Sequence, residues 1–119
     1  MAKARIVRAK TLAEFLANPG NYTNVNLHNQ NITDADCQQI AVAIPRATKL
    51  TQLCLRNNHI GDAGAIALGQ GLAANANLTK LYLHNNQIGN AGAAALGQRL
   101  AANTKLKTLY LGANHIGDK

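Results

Sequence analysis

The sequence is short of aromatic side chains: among its 119 residues it has no tryptophan, one phenylalanine and three tyrosines. Any hydrophobic core must therefore be built from aliphatic residues. A chain of this size suits one small domain. Its two cysteines are too few for the disulfide framework of a small secreted domain, which favours a reducing compartment and predicts a cytoplasmic protein.

Long apolar runs are also missing. Every alanine-rich stretch is interrupted by Gly, Gln, Asn or Arg well before the roughly 20 residues that a membrane-spanning helix needs. The basic N-terminus is not followed by an apolar run with a small-residue cleavage site, so no secretory signal is expected. We expect no membrane span, and a host-cell cytoplasm as the location if the protein is an effector exported without a cleaved signal.

Acidic residues are scarce, with five against twelve basic ones and a formal net charge of +7. Four of the basic residues lie in the first ten positions, at Lys3, Arg5, Arg8 and Lys10. Such a surplus attracts acidic proteins, nucleic acids or anionic surfaces. Aromatic residues that stack on single strands are few, and no helix carries a continuous basic stripe, which argues against nucleic acid. A solvated excess of charge is the favoured interpretation, and a basic arm that helps to draw in an acidic protein partner is the next.

What the sequence has in abundance is internal repetition, with a 28-residue period. Segments 50–77 and 78–105 are identical at about two thirds of their positions, and apolar residues recur in four columns. The columns are Leu50, Leu78 and Leu106; Leu53, Leu81 and Leu109; Leu55, Leu83 and Leu111; and Ile60, Ile88 and Ile116. One period earlier they fall on the apolar residues Tyr22, Val25, Leu27 and Ile32.

Each copy contains two hydrophobic periods. Alternation around Leu53 and Leu55, and again around Leu81 and Leu83, is typical of a strand with one buried face. Spacings of three and four then predict a helix in each copy, with core faces at Cys37, Ile40 and Ile44; Ala65, Leu68 and Leu72; and Ala93, Leu96 and Leu100. In the first copy Pro45 is expected to end or bend the helix near Ile44.

Polar residues at the helix ends predict how each helix begins and stops. Asp34, Asp62 and Asn90 stand where an N-cap side chain could accept from free backbone N–H groups. Asn75 and Asn103 stand where the helices should stop, in positions suited to a left-handed conformation.

One strand and one helix in every copy predict parallel strands joined by helical crossovers. Right-handed crossovers repeated in one direction build an α/β solenoid, with strands on the concave face and helices on the convex face. The pattern Leu50-x-x-Leu53-x-Leu55-x-x-Asn58-x-Ile60 resembles the leucine-rich repeat, and the 28-residue period with an alanine-rich helix is similar to the ribonuclease-inhibitor-like subfamily. The resemblance implies a horseshoe arc and binding of another protein.

In that family the asparagines at Asn58, Asn86 and Asn114 would form a ladder that hydrogen-bonds the backbone after each strand. A ladder of this kind is needed because an unpaired buried backbone group costs about 1–3 kcal/mol. The first copy has Gln30 at this position, flanked by Asn29 and Asn31, so the ladder could slip there by one residue.

The predicted domains follow from the repeats. Residues 1–10 form a basic N-terminal arm and residues 11–21 an N-terminal capping helix and turn, in which Thr11 and Glu14 match a capping box. Residues 22–119 form the repeats, divided as 22–49, 50–77, 78–105 and a partial copy 106–119. The sequence stops after a strand, so we expect either a fragment of a longer array or a homodimer through the uncapped C-terminal edge.

The scaffold leaves the outward strand positions free to vary, and they fall in rows across the copies. The rows are Asn24, Gln52, Lys80 and Thr108; Asn26, Cys54, Tyr82 and Tyr110; His28, Arg56, His84 and Gly112; and Asn29, Asn57, Asn85 and Ala113. Nearly identical copies differ here, and Tyr, Arg and His are residue types favoured as contact anchors. The residues predicted to bind a partner are Gln52, Arg56, Lys80, Tyr82, His84, Thr108 and Tyr110.

Chemistry on this face is not expected. His28 and His84 are two strands apart, a backbone separation of about 10 Å, and no carboxylate or thiolate clearly completes a metal set with them. Cys54 lies near both histidines, yet a smooth sheet supplies neither the pocket nor the orienting group of a nucleophile. The glycine-containing turns lack the GxxxxGK[ST] pattern of a phosphate loop, and no cofactor is predicted.

The sequence therefore predicts a non-enzymatic protein-interaction scaffold. Two alternatives stay open. One is a binder of nucleic acid or an anionic surface that uses the basic arm at residues 1–10, and the other is a structural fragment of a longer repeat array.

Overall fold

The computed structural model describes residues 6–75, 77–101 and 105–117. Within these ranges five parallel strands form one sheet in chain order, and helices follow the strands. The strands are β1 Arg8–Ala9, β2 Asn24–Asn26, β3 Gln52–Cys54, β4 Lys80–Tyr82 and β5 Thr108–Tyr110. The α-helices are α1 Leu12–Ala17, α2 Asp34–Ala43, α3 Asp62–Leu72 and α4 Asn90–Leu100, with short 3-10 turns at Pro19–Asn21 and Ile44–Arg46.

The strand register repeats the period found in the sequence. Leu53 pairs with Leu81, and Leu81 with Leu109, in parallel ladders. The helices α2, α3 and α4 pack side by side as a second layer against the sheet. The predicted solenoid of alternating strands and helices is confirmed.

The core lies between the two layers and is almost entirely aliphatic. Column members such as Val25, Leu53 and Leu81 are at most 1% exposed, and Phe15 is the one aromatic residue buried among them in the described ranges. Burying each such side chain contributes roughly 1.5–3 kcal/mol. Two column residues of the last copy, Leu109 in β5 and Leu111 directly after it, are only partly buried.

Three asparagines tie successive repeats together, as predicted. Asn86 donates to the carbonyls of Leu55 and Leu83, at 3.0 and 3.1 Å, and accepts from the N–H of Ile60 at 3.0 Å. Asn58 and Asn114 make equivalent bonds one period before and after it. These bonds satisfy buried backbone groups that would otherwise lack partners.

The ladder does not slip at Gln30. Asn29 has a φ of 56°, the left-handed value also found one period later at Asn57, so the register is kept. The longer Gln30 side chain is exposed and donates to the carbonyl of Lys10 at 2.6 Å, beyond the end of β1. In the first copy, Gln30 therefore replaces the ladder asparagine, and its longer side chain reaches the N-terminal cap instead of a preceding repeat.

A second polar ladder runs along the helix starts, and here the N-cap prediction is wrong. Thr33, Gly61 and Gly89 are the N-caps, while Asp34, Asp62 and Asn90 are the first helical residues. Their side chains reach the next repeat: Asp34 accepts from the N–H of Gly61 at 2.7 Å, and Asp62 from Gly89 at 2.7 Å. Each carboxylate caps its neighbour's helix because the helices lie close enough together.

That close approach requires glycine at Gly64 and Gly92. A Cβ at Gly64 would lie 2.5 Å from Oδ1 of Asp34 and 2.9 Å from Cγ2 of Ile60, and Gly92 is equally confined. We expect Gly64→Ala to lower the free energy of unfolding by about 1–3 kcal/mol, because the inserted methyl forces neighbouring atoms apart.

A urea titration measures this loss, and Gly97→Ala is the matched control. Gly97 is also a helical glycine, but a Cβ there meets nothing within 4 Å. Because glycine destabilises a helix interior relative to alanine, Gly97→Ala should stabilise the protein by about 0.5–1 kcal/mol. Equal effects of the two substitutions would contradict the packing argument.

The N-terminal region confirms the capping box and changes one boundary. The Thr11 side chain accepts from the N–H of Glu14, whose carboxylate accepts from Thr11 in return. The hydrogen bond from the Lys10 backbone is the main reason that the pKa of Glu14 is lowered. Arg8 and Ala9, assigned from the sequence to the arm, instead form β1 and pair with Asn24 and Val25.

The remaining helix-end predictions have mixed outcomes. Helix α2 ends at Ala43 and passes into a 3-10 turn containing Pro45, as expected. Asn75 does not adopt a left-handed backbone; it is buried, donates to the carbonyl of Ala47 and accepts from the N–H of Leu78. Asn103, like the arm residues Lys3 and Arg5, lies outside the described residues.

Candidate functional site

The sheet face opposite the helices, here called the concave face, carries the varied side chains in register. Ladder pairing aligns Gln52 with Lys80 and Lys80 with Thr108 in one row. The same ladders align Cys54 with Tyr82 and Tyr82 with Tyr110 in the next. Backbone hydrogen bonds between neighbouring copies, such as Asn57 to His84, continue the alignment past the strand ends. The predicted rows therefore exist as rows of neighbouring side chains.

An aromatic cluster occupies the β4–β5 side of this face. The rings of Tyr82 and Tyr110 are stacked, with centroids 4.9 Å apart and planes 11° from parallel. The His84 ring packs edge-on against both, at 6.3 Å from Tyr82 and 5.9 Å from Tyr110. Its Nδ1 is buried and has no hydrogen-bond partner among the described residues. Stacked rings held this way form a rigid contact surface.

Two hollows flank the aromatic cluster. One is lined by Tyr82, His84, Asn85, Tyr110, Gly112 and Ala113. The other, of about 490 Å³, extends toward β1 and is lined by Arg8, Asn24, Val25, Asn26, Gln52, Cys54, Arg56, Tyr82 and His84. The concave face is thus contoured, with an apolar end and a cationic end.

The charge on this face has one sign. Arg8, Arg56 and Lys80 lie on it, whereas the carboxylates in the described ranges are on helices α1, α2 and α3 at Glu14, Asp34, Asp36 and Asp62. Cations in a hollow with low-dielectric walls raise the local concentration of anionic groups. An acidic surface would therefore be attracted here.

The structure brings most of the sequence-predicted contact residues together. Gln52, Arg56, Tyr82 and His84 line the hollow that extends toward β1, and Tyr110 joins Tyr82 and His84 in the other one. Lys80 and Thr108 lie in the adjacent row and line neither hollow.

Sequence reasoning missed two parts of this surface. The repeat pattern does not predict Arg8 as a contact residue, because its distance along the chain from its partner Asn24 does not match the repeat period. Gly112 and Ala113 were placed in rows but not chosen, because what they contribute is the absence of a large side chain. The short alternation of Val7 and Ala9 was the only signal for β1.

Two histidines, His28 and His59, contact neighbouring asparagine side chains. Nδ1 of His28 lies 2.6 Å from Oδ1 of Asn26, and Nε2 of His59 lies 3.1 Å from Oδ1 of Asn31. Across the described part of the chain, no group of three or more His, Cys, Asp or Glu side chains is arranged to hold a metal ion.

The two cysteines are free and differ in exposure, which predicts different reactivity. Cys37 is fully buried, and burial, with smaller contributions from Asp34 and Asp36, raises the pKa of its thiol to about 12. Cys54 is half-buried on the concave face. We expect iodoacetamide to modify Cys54 in the folded protein and to leave Cys37 intact, because only an accessible thiolate reacts.

Peptide mass mapping after a timed reaction measures both thiols, and the guanidinium-unfolded protein, in which both should react alike, is the control. Modification of Cys37 before Cys54 in the folded state would contradict the described packing.

Comparison with known proteins identifies the repeat. Residues 48–93 match a family model described as Leucine Rich repeats, in two copies, and residues 102–119 match a second described as Leucine Rich repeat. The repeats of this chain are leucine-rich repeats. No curated protein sequence matches the chain. Within the described residues no helix is long and apolar enough to cross a lipid bilayer.

A solved structure shares the fold. Leiomodin-1 actin-binding site 2 matches with a TM-score of 0.77 and 27% identity, over 90% of this chain and 64% of that one. The chain thus spans just under two thirds of that structure's length. An internalin from Listeria monocytogenes str. 4b F2365 matches with 28% identity, over 87% of this chain and 32% of that one, but its TM-score of 0.47 supports no inference.

Proposed function

We propose that this leucine-rich repeat protein is a non-enzymatic scaffold that binds an acidic protein partner on its concave face. The observation that carries the proposal is that a stacked aromatic cluster and two arginines lie side by side on the concave face. Tyr82 and Tyr110 supply rigid apolar area, and Arg8 and Arg56 supply charge beside it. Aromatic residues and arginine are the types that dominate binding energy at protein interfaces.

The finer assignments belong to the same proposal. Membership of the ribonuclease-inhibitor-like subfamily is supported by the 28-residue period and by an α-helix, rather than an irregular segment, in each complete copy. A cytoplasmic location is supported by the free thiols of Cys37 and Cys54. The contact residues proposed are Gln52, Arg56, Lys80, Tyr82, His84, Thr108 and Tyr110, together with Arg8.

Affinity capture with two baits tests the proposal. The wild-type protein and a variant carrying Arg56→Ala, Tyr82→Ala and Tyr110→Ala are compared in one lysate by quantitative mass spectrometry. We expect an acidic protein to be recovered with the wild type and lost with the variant, whose urea midpoint must match the wild type. Identical recovery with both baits would remove the concave face from the proposal.

Actin is the first named protein to test, because the structural neighbour is an actin-binding site of leiomodin-1. Co-sedimentation with actin filaments, using the same two proteins, would show whether the likeness extends to the partner. The rival function, binding of nucleic acid or an anionic surface by the basic arm, is separated by deleting residues 1–5, which leaves the hydrogen bonds of Val7 to Thr23 and Asn24 in place. Loss of RNA or vesicle binding on deletion, with no effect of Tyr82→Ala, would favour the rival.

A further inference from the structure

The hollow on the β5 side of the aromatic cluster has the features of a specificity pocket. We call it the anchor pocket; it is lined by Tyr82, His84, Asn85, Tyr110, Gly112 and Ala113. Gly112 stands in the row that has Arg56 and His84 in the preceding copies, so the missing side chain leaves the space open. A Cβ at Gly112 would meet nothing within 4 Å.

His84 gives the anchor pocket a polar contact. Its Nδ1 is buried without a partner in the free protein, an arrangement that costs free energy. The His84 side chain lines the hollow, so a polar group of a bound chain could enter beside the imidazole and pair with it. The anchor pocket therefore suits an apolar or aromatic side chain whose own backbone lies within hydrogen-bonding reach.

The distance from the anchor pocket to the cations sets the spacing of a bound segment. Arg56 follows β3 and Arg8 lies in β1, two and four strands from β5. Strands lie about 4.8 Å apart, so Arg56, which shares the row of Gly112, is roughly 10 Å from the β5 side of the pocket. Arg8 pairs with Asn24, in the row of Gln52, so its backbone is also offset from Arg56 by about 13 Å along the strand direction. In a polyproline II segment, residues three apart share one side and are separated by about 9 Å. This spacing matches the distance from the pocket to Arg56.

We propose, as a deepening of the proposed function and resting on it, that the concave face binds an extended segment with one apolar or aromatic anchor residue, an acidic residue three positions away and a further acidic residue beyond it. The anchor fills the anchor pocket, the nearer carboxylate pairs with Arg56, and the farther one lies on the β1 side of the face, toward Arg8. Charge complementarity commits the site to an acidic segment. A single-stranded nucleic acid fits less well, because Tyr82 and Tyr110 cover one face of each other and leave few ring faces for successive bases.

End-blocked synthetic peptides test the proposal: Phe-Pro-Pro-Asp-Pro-Pro-Asp, its reverse sequence, and versions of both with Gly in place of Phe. Binding is followed by NMR through the His84 ring signals, assigned with His84→Asn. We expect one direction to shift the His84 signals saturably and the loss of Phe to weaken affinity about tenfold. Gly112→Met should lower the affinity for the Phe-containing peptide about tenfold and should change the affinity for the Gly-containing peptide little.

Gly97→Met on helix α4 is the matched control and should change neither affinity, since both glycines have open space around Cβ. If Arg56→Gln weakens the peptides while Gly112→Met and the loss of Phe do not, the anchor pocket is refuted and the proposed function stands. Failure of both directions to bind refutes the spacing, whereas the affinity capture decides the proposed function separately. Tighter, Gly112→Met-sensitive binding of oligothymidine would assign the pocket to nucleic acid and overturn the proposal.

Discussion

Asn86→Ala is expected to lower the free energy of unfolding by about 2–4 kcal/mol, because it breaks three buried hydrogen bonds at once and removes the acceptor of the Ile60 N–H. The carbonyls of Leu55 and Leu83 keep the bonds donated by Asn58 and Asn114. Asn86 is 6% exposed and joins the strand end at Leu83 to the preceding repeat at Leu55 and Ile60. Water cannot replace the side chain at such a site without opening the core. A urea titration followed by far-ultraviolet circular dichroism gives the free energy of unfolding.

The control for Asn86→Ala is Gln30→Ala, at the same position of the first repeat. The Gln30 side chain is exposed and bonds only the Lys10 carbonyl among the described groups, which water can solvate instead, so a loss of about 1 kcal/mol or less is expected. Asn86→Asp should be as damaging as Asn86→Ala, since a carboxylate cannot donate to two carbonyls. A loss under about 1 kcal/mol for Asn86→Ala would show that the ladder is not what joins the repeats.

Charge reversal on the concave face is expected to have the second large effect, on binding. Arg56→Glu should weaken binding of the captured acidic partner by about 2 kcal/mol or more, near thirtyfold in Kd, because an attractive contact becomes repulsive. Arg56 is half-buried between the aromatic cluster and Arg8, where its charge is only partly screened by solvent. Isothermal titration calorimetry or surface plasmon resonance measures the change.

Arg46→Glu is the control for this reversal, since it makes the same change in net charge at an exposed residue of the turn after α2. Long-range attraction alone would make the two variants equally weak. If Arg56 makes a specific contact, the Arg56→Glu variant binds the partner less tightly than the Arg46→Glu variant at every ionic strength. A difference in Kd between the two variants then remains at high salt. Equal affinities of the two variants at all salt concentrations would place the interface elsewhere.

The repeat and its register could be read from the sequence because both follow from local periodicity. Each complete copy has one strand and one helix of nearly constant length, so equivalent residues return to equivalent places, and Leu53 lies beside Leu81. The rows of the concave face follow from the same constraint. Burial of an aliphatic column needs only residue type and spacing, and both are visible in a single chain.

Other features depended on contacts between copies or on a break in the period. Arg8 joined the sheet beside Asn24 although the two are much closer along the chain than one repeat, because the capping element is shorter than a repeat. Asp34 capped Gly61 of the next repeat instead of its own helix, since glycine at Gly64 lets the two helices approach. Neither outcome follows from the pattern around one residue.

The amino-acid sequence by itself determined the scaffold of this protein: the parallel strands, the aliphatic core, the asparagine ladder and the set of residues facing outward. Only the tertiary structure decided how those outward residues combine, stacking Tyr82 on Tyr110 and opening a hollow at Gly112. The physical reason is that the scaffold rests on periodic burial, which is encoded along the chain. The site rests on distances between side chains of different copies, which exist only once the copies are stacked.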